Sequence, residues 1–208
     1  VKNSMSDLTD EEKGEAVRQW WQDNWLAVVG GVVLGIAGLL GWNAWNQHVE
    51  NRAEQASQHY AQLLELRQSG EPGQAESLVS ELTEKGRRTP YAALAWAVLA
   101  DLALEQGATE RALQALQQAR DVARDPGYAH LMGLRLARLQ IALGRLEQAE
   151  ATLAPIVDAA FQGLRAELEG DIAWARGQTA EARRRYEQAR AAGVDSEFLR
   201  LKLDETSV

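Results

Sequence analysis

Three histidines, two groups of carboxylates and two runs of arginine are the residues in this 208-residue chain that most suggest chemistry. His48, His59 and His130 are scattered, and neither His-Glu-x-x-His nor any other metal-ligand spacing joins them. Asp121 with Asp125, and Glu167 and Glu169 with Asp171, have the make-up of paired carboxylates for acid-base hydrolysis. On helices the same spacings are usually solvated faces that pair with neighbouring cations. Arg183-Arg184-Arg185 and Arg87-Arg88 would suit acidic lipid headgroups or a partner carboxylate. Glu181 and Glu187 flank the longer run, and intrahelical pairing with them is the plainer reading. There is no glycine-rich phosphate loop. The absence of cysteine excludes a disulfide, a thiol nucleophile, a Cys-based zinc site and a lipid on an N-terminal cysteine. The expectation is a protein with no catalytic residues, no metal and no cofactor.

The elements that carry these residues are legible from composition and period. Hydrophobic residues make up 46% and charged residues 25%, which is enough apolar material for a core. Lys and Arg number 22 against 30 Asp and Glu, a net charge of −8, which argues against nucleic acid as a partner. From about residue 50 onward no stretch alternates as strands do, so the segment reads as all helical. Gly70, Gly107, Gly144 and Gly177 are separated by 37, 37 and 33 residues, and each is followed five positions later by alanine: Ala75, Ala112, Ala149 and Ala182. A period of this length with a glycine turn between two helices predicts a helical solenoid, not a closed bundle.

At these residues the chain resembles the tetratricopeptide repeat. The best copy spans residues 93–126, where Trp96, Leu99, Ala100, Gly107, Ala112, Leu116 and Ala119 match the motif. Leu136, Ala137, Gly144, Ala149 and Leu153 repeat most of it, as do Gly170, Ala173, Gly177, Ala182, Tyr186 and Ala189. Small residues let the paired helices approach, and large ones fill the space between them. Three departures stand out: Gly133 replaces the large first position of one copy, Glu169 replaces the usual Leu of the next, and Pro155 is expected to end a helix early. The first copy, about 56–89, is degenerate and keeps only Gly70, Ala75, Val79 and Leu82. Thr89-Pro90 and Asp125-Pro126 read as N-cap and N1 pairs, and Ser196 to Leu203 as a capping helix over the last repeat.

Registering the copies on their glycines places Ala97, Asp101, Leu104, Leu134, Arg138, Ile141, Asp171 and Trp174 toward the inner groove formed by the first helix of each pair. The mixture of apolar and charged groups suits an extended or helical peptide better than a small molecule. Trp174 has two readings, core packing or groove wall.

The N-terminal quarter has a different character. No charge occurs from Asn24 to Val49, and residues 25–45 form an apolar stretch of 21 residues. As a helix that is about 32 Å, enough to cross a hydrocarbon core of roughly 30 Å. Trp25 at one end and Trp42 and Trp45 at the other fit the headgroup region. The stretch is longer than the apolar part of a signal peptide, and no small-x-small cleavage pattern follows it. Lys13 and Arg18 before it, against Arg52 after it, place the N-terminus inside the cell. Residues 46–69 contain neither Gly nor Pro, so the membrane helix is expected to run on into the soluble part. Ala27, Gly31, Gly35 and Gly38 recur at helical spacing, either as a packing face for a second membrane helix or as a plain anchor that tolerates glycine.

The whole arrangement, with the head Trp20-Trp21-Gln22-Asp23-Asn24-Trp25, the segment Tyr60-Ala61-Gln62-Leu63-Leu64 and the segment Leu168-Glu169-Gly170-Asp171-Ile172, resembles the YfgM-like family of ancillary SecYEG translocon subunits. The likeness covers almost the entire chain. It implies an all-α protein: a short acidic cytoplasmic head (1–24), a transmembrane helix (25–45) and a periplasmic tetratricopeptide-repeat domain (46–208) of about three to four helix pairs. It further implies a single-pass inner-membrane protein that is no enzyme and uses no cofactor. Its partners would be the SecYEG translocon, the membrane-anchored chaperone PpiD, newly translocated or unfolded polypeptides and membrane lipid. A scaffold for cell-envelope or division machinery, or a stress-signalling regulator acting through the head, is the alternative, because repeats alone occur with many functions.

Overall fold

The computed structural model describes residues 10–69, 72–86 and 89–207. Met5, Gly70 and the Arg87-Arg88 pair lie outside the described residues. Among the described residues all regular structure is helical: α1 (Asp10–Ser69), α2 (Pro72–Lys85), α3 (Tyr91–Glu105), α4 (Thr109–Val122), α5 (Pro126–Ala142), α6 (Leu146–Leu153), α7 (Gln162–Ala175), α8 (Thr179–Ala191) and α9 (Glu197–Glu205), with a single 3-10 turn at Ala159–Phe161. The chain divides into two units, one ending at Asn51 and one running from Arg52 to Val208.

The first unit is the early part of α1. It is long and apolar enough to cross a membrane, with a mean hydropathy of 2.0 over its most apolar window and no part of that window buried in protein. Trp20, Trp21, Trp25, Trp42 and Trp45 are all exposed along it.

The second unit stacks helix pairs. The last part of α1 with α2, then α3 with α4, α5 with α6, and α7 with α8 make four pairs, and α9 closes the end. Its interior is a succession of clusters, each shared by one pair and the first helix of the next. Ala56 and Leu63 of α1 meet Ala75, Val79 and Leu82 of α2 and Ala95, Val98 and Leu102 of α3. Ala100, Ala112, Leu113 and Leu116 are joined by Leu136 of α5. Leu134, Ala137, Ala149, Leu153 and Ile156 meet Leu168 and Ile172 of α7. Ala173, Ala182, Tyr186 and Ala189 are closed by Leu199 and Leu203 of α9. Fully burying one such leucine contributes about 1.5–3 kcal/mol, and no pair buries its leucines without the next one. That dependence is what makes a solenoid.

The turns inside the pairs follow from glycine. Gly107, Gly144 and Gly177 have φ of 71°, 71° and 74°, the left-handed region in which any side chain is strained. Each sits just past its helix end in the same double bond pattern: Ala108 N–H donates to Ala103 O at 2.8 Å and Gly107 N–H to Leu104 O at 3.0 Å. Arg145 with Gln140 and Gln178 with Ala173 repeat it. Gly193, φ 93°, ends α8 by the same device.

The expected caps divide. Asp125 accepts from Tyr128 N–H at 3.2 Å as expected, and Ser196, for which no cap was expected, accepts from Leu199 N–H at 3.1 Å at the start of α9. Thr89 does not cap α3: its hydroxyl turns back to donate to Gly86 O at 2.7 Å, and the helix begins after Pro90 with no side-chain cap.

Two departures from the repeat are compensated locally. Pro155 does end α6 at Leu153, and the chain then reverses so that Ile156 is buried. A Cβ on Gly133 would sit 3.2 Å from Ile156 Cδ1, so the isoleucine occupies the space that the large first residue would fill. Glu169, standing where Leu99 stands in the better copy, accepts from Arg165 at 2.7 Å and Arg185 at 2.8 Å.

Candidate partner-binding site

Among the first helices, ion pairs tie α1 to α3, α3 to α5 and α7 to α9. Asp101 on α3 accepts from Arg67 on α1 at 3.4 Å and from Arg135 on α5 at 2.5 Å. Arg67 also donates to Glu105 at 2.9 Å, and this holds its guanidinium above the usual arginine value. At the other end Lys202 of α9 donates to Glu167 at 2.7 Å and to Asp171 at 2.9 Å on α7. Tyr186 donates to Asp171 at 2.9 Å, and its burial, reinforced by that carboxylate, pushes the phenol well above its usual value. A second row links the outer helices: Arg111 of α4 to Glu76 of α2, and Arg145 before α6 to Glu110 of α4.

Of the eight residues assigned to the groove, six keep some exposure and two do not. Arg138 is exposed and makes no ion pair among the described residues. Leu104 and Trp174 are 41% and 43% exposed, so Trp174 is a surface residue and not core packing. Ile141 is half-buried. Asp101 and Asp171 are half-buried and already engaged by cations. Ala97 and Leu134 are corrections: both are buried, Ala97 with Ala119 and Met132, and Leu134 with Leu153, Ile156 and Leu168. Helices α4 and α5 close over Ala97, and α6 and α7 close over Leu134. The accessible part of the surface is therefore Leu104, Arg138 and Trp174, with locked carboxylates between.

Sequence reasoning missed Arg67, Arg135, Glu105 and Lys202. A signal was present: Arg67, Asp101 and Arg135 are 34 residues apart, one repeat length, with alternating sign.

The other candidate chemistry disperses. Asp121 accepts from Gln117, and Asp125 caps a helix, so they form no pair. Glu167 and Asp171 face Lys202, whereas Glu169 turns to the opposite side toward Arg165 and Arg185. In the arginine run, Arg183 pairs with Glu187, and Arg184 and Arg185 pair with Glu181, whose carboxyl is held below the usual range chiefly by the Arg185 hydrogen bond. His130 lies edge-on to Phe161 at 5.4 Å and does not approach another histidine. Among the described residues no group of three His, Asp or Glu is arranged to hold a metal ion.

On the membrane helix, Ala27, Gly31, Gly35 and Gly38 fall within an arc of about 80° at 100° per residue. All four are exposed, and a Cβ added at any of the three glycines would meet no atom within 4 Å.

The tetratricopeptide repeat-like domain matches residues 18–208. Over 199 residues the chain is 29% identical to the ancillary SecYEG translocon subunit of Aggregatibacter actinomycetemcomitans and 28% identical to that of Haemophilus influenzae, in each case 95% of this chain and 97% of the relative. It is 29% identical over 205 residues to the protein of the same name from Escherichia coli, 96% of this chain and 97% of that one.

Proposed function

The chain belongs to the tetratricopeptide repeat-like family, and from that premise we propose that it is a non-enzymatic ancillary subunit of the SecYEG translocon. The observation that carries this reading is the similarity to three proteins of that name along nearly the full length of both chains. Residues 25–45 anchor it in the bacterial inner membrane as a single-pass protein, with 1–24 in the cytoplasm and 46–208 in the periplasm. The bias of Lys13 and Arg18 over Arg52 supports that orientation. The face bearing Ala27, Gly31, Gly35 and Gly38 packs against a helix of the translocon, since backbones without side chains approach closely.

The groove of first helices then stands near the exit of the channel. A tethered site meets an emerging chain at an effective concentration of order mM, so weak contacts suffice. Leu104 and Trp174 supply apolar contact and Arg138 an open cation, which suits a newly translocated, unfolded polypeptide carrying apolar and acidic residues. PpiD takes such chains onward, and no nucleotide or metal takes part.

Photo-crosslinkers at Gly35 and Arg138 in living cells test both surfaces. Capture of translocon subunits from Gly35 and of PpiD or secretory chains from Arg138 is the expected result; capture of neither overturns the reading. Trp174→Ala is expected to change thermal stability by less than about 1 kcal/mol because the ring is surface-exposed, while reducing client crosslinking at Arg138. An alkaline phosphatase fused to the C-terminus is expected to be active, and an inactive fusion would reverse the topology.

A further inference from the structure

The three interfaces within the helix pairs α3–α4, α5–α6 and α7–α8 are equivalent in backbone and unequal in filling. Counting from the turn glycines, the residue four before and the residue eight after are Ala103 with Ala115, Gln140 with Thr152, and Ala173 with Arg185. In the middle interface Thr152 Oγ1 donates to Gln140 Oε1 at 2.9 Å, and both side chains are buried. In the last interface Arg185 reaches Glu169 and Glu181, and the cleft left there is smaller, about 260 Å³, and lined by the charges of Glu150, Arg165, Glu169, Arg176, Glu181 and Arg185. In the first interface both places are alanine, and a cleft of about 450 Å³ stays open between α2, α3 and α4. That volume lies within the range of ligand pockets, roughly 300–1,000 Å³.

The cleft lies on the far side of α3 from the groove, since Ala103 is about 200° around the helix from Asp101. Its floor is apolar: Trp96, Leu99, Ala103 and Ala115. Its rim carries Gln106, Gln114 and Gln118, all uncharged amides, and the ions beside them, Glu76 and Arg111, neutralise each other. Trp96, which lines the cleft, also has a buried indole N–H with no acceptor among the described residues.

We propose that this cleft is a second polypeptide site, on the outer side of the solenoid, that takes a single aliphatic or aromatic side chain from an extended, uncharged segment of a client. The apolar floor receives the side chain, and the glutamine amides, each both donor and acceptor, bond the flanking peptide groups. The middle interface shows what fits at this level: an amide and a hydroxyl group that complete each other's hydrogen bonds. A charged ligand is disfavoured because the rim offers no free ion to pair with it. The site stands independently of the groove.

The test uses the full chain in lipid nanodiscs and two labelled nine-residue peptides of neutral residues, one with a central leucine and one with a central aspartate. The leucine peptide is expected to bind, and the aspartate peptide to bind at least roughly tenfold more weakly, as a mismatched group in an apolar pocket should. Ala103→Gln with Ala115→Thr copies the filling of the middle interface. It is expected to keep the helical signal and melting temperature while weakening the leucine peptide by a similar factor. Should that variant fold poorly, Gln114→Glu with Gln118→Glu, both exposed, is expected to produce the same loss in a stable chain. Arg138→Glu, in the groove, is expected to leave this binding unchanged. No binding of the leucine peptide, equal binding of both peptides, or loss with Arg138→Glu but not with the filled cleft would each overturn the proposal.

Discussion

Two interfaces of the solenoid, the one where α2 and α4 meet α3 and the one where α6 and α8 meet α7, share a backbone plan and solve the packing problem with different residues. In the first, Ala100 and Leu116 lie in one cluster beside Leu99, and the outer side opens into an apolar cleft. In the second, the equivalent pair is Gly170 and Tyr186, and the place of Leu99 is held by Glu169 between two arginines. The volume removed from α7 is returned by α8: glycine faces tyrosine where alanine faces leucine. The lesson is that the repeat conserves the sum of facing side chains more strictly than any single one. A polar residue is admitted when its partners arrive with it.

The α7 side carries its charge inward, and there the largest effect is expected. Lys202→Met strands Glu167, which is only 6% exposed, together with Asp171. A loss of about 3 kcal/mol is expected from uncompensated buried charge, read as a lowered melting temperature; an unchanged melting temperature would show that α9 is held by Leu199 and Leu203 alone.

Next in size is Gly170→Ala, because a Cβ there runs into the Tyr186 ring. The expected cost is about 2 kcal/mol, and Tyr186→Leu in the same chain should recover part of it by restoring the facing sum of the first interface. If the double variant is no more stable than Gly170→Ala, facing volumes are not conserved as a pair.

Smaller again is Glu169→Leu, which imports the residue of the first interface, deprives Arg165 of its carboxylate and leaves Arg185 with Glu181 alone. About 1 kcal/mol of destabilisation is expected from these part-exposed cations. Adding Arg185→Ala should return stability close to the starting value, as an apolar pair often replaces an ionic one without loss.

The smallest effect is in acid. The Arg176 hydrogen bond holds the Glu150 carboxyl below the usual carboxylate range. Its folded value is therefore below its unfolded one, so its contribution is present above about pH 4.3 and is lost as pH falls through the folded value. The stability gap between the natural chain and Glu150→Gln should narrow as pH drops through that window, and a gap independent of pH would remove this ion pair from the account.

Much of the fold was legible because its cues are local. A glycine past a helix end must adopt positive φ, and alanine five residues later lets the next helix approach, so Gly107, Gly144 and Gly177 marked the pairs. The groove was only partly legible. Of the residues expected along it, Leu104, Arg138 and Trp174 are exposed and Asp101 is half-buried, whereas Ala97 and Leu134 are buried, because the second helix of their own pair and the first helix of the next cover them. The ion rows could have been read from spacing alone, since one repeat length separates Arg67, Asp101 and Arg135.

By itself, then, the sequence determined the helical class, the repeat length, the early end of α6 at Pro155 and the long apolar stretch, since each rests on backbone preference or transfer free energy within a short window. Only the tertiary structure decided that Ile156 fills the space over Gly133, that Glu169 is satisfied by Arg165 and Arg185, and that the facing alanines Ala103 and Ala115 leave a cleft. Those outcomes depend on which side chains meet across helices, and close packing settles that jointly, not residue by residue.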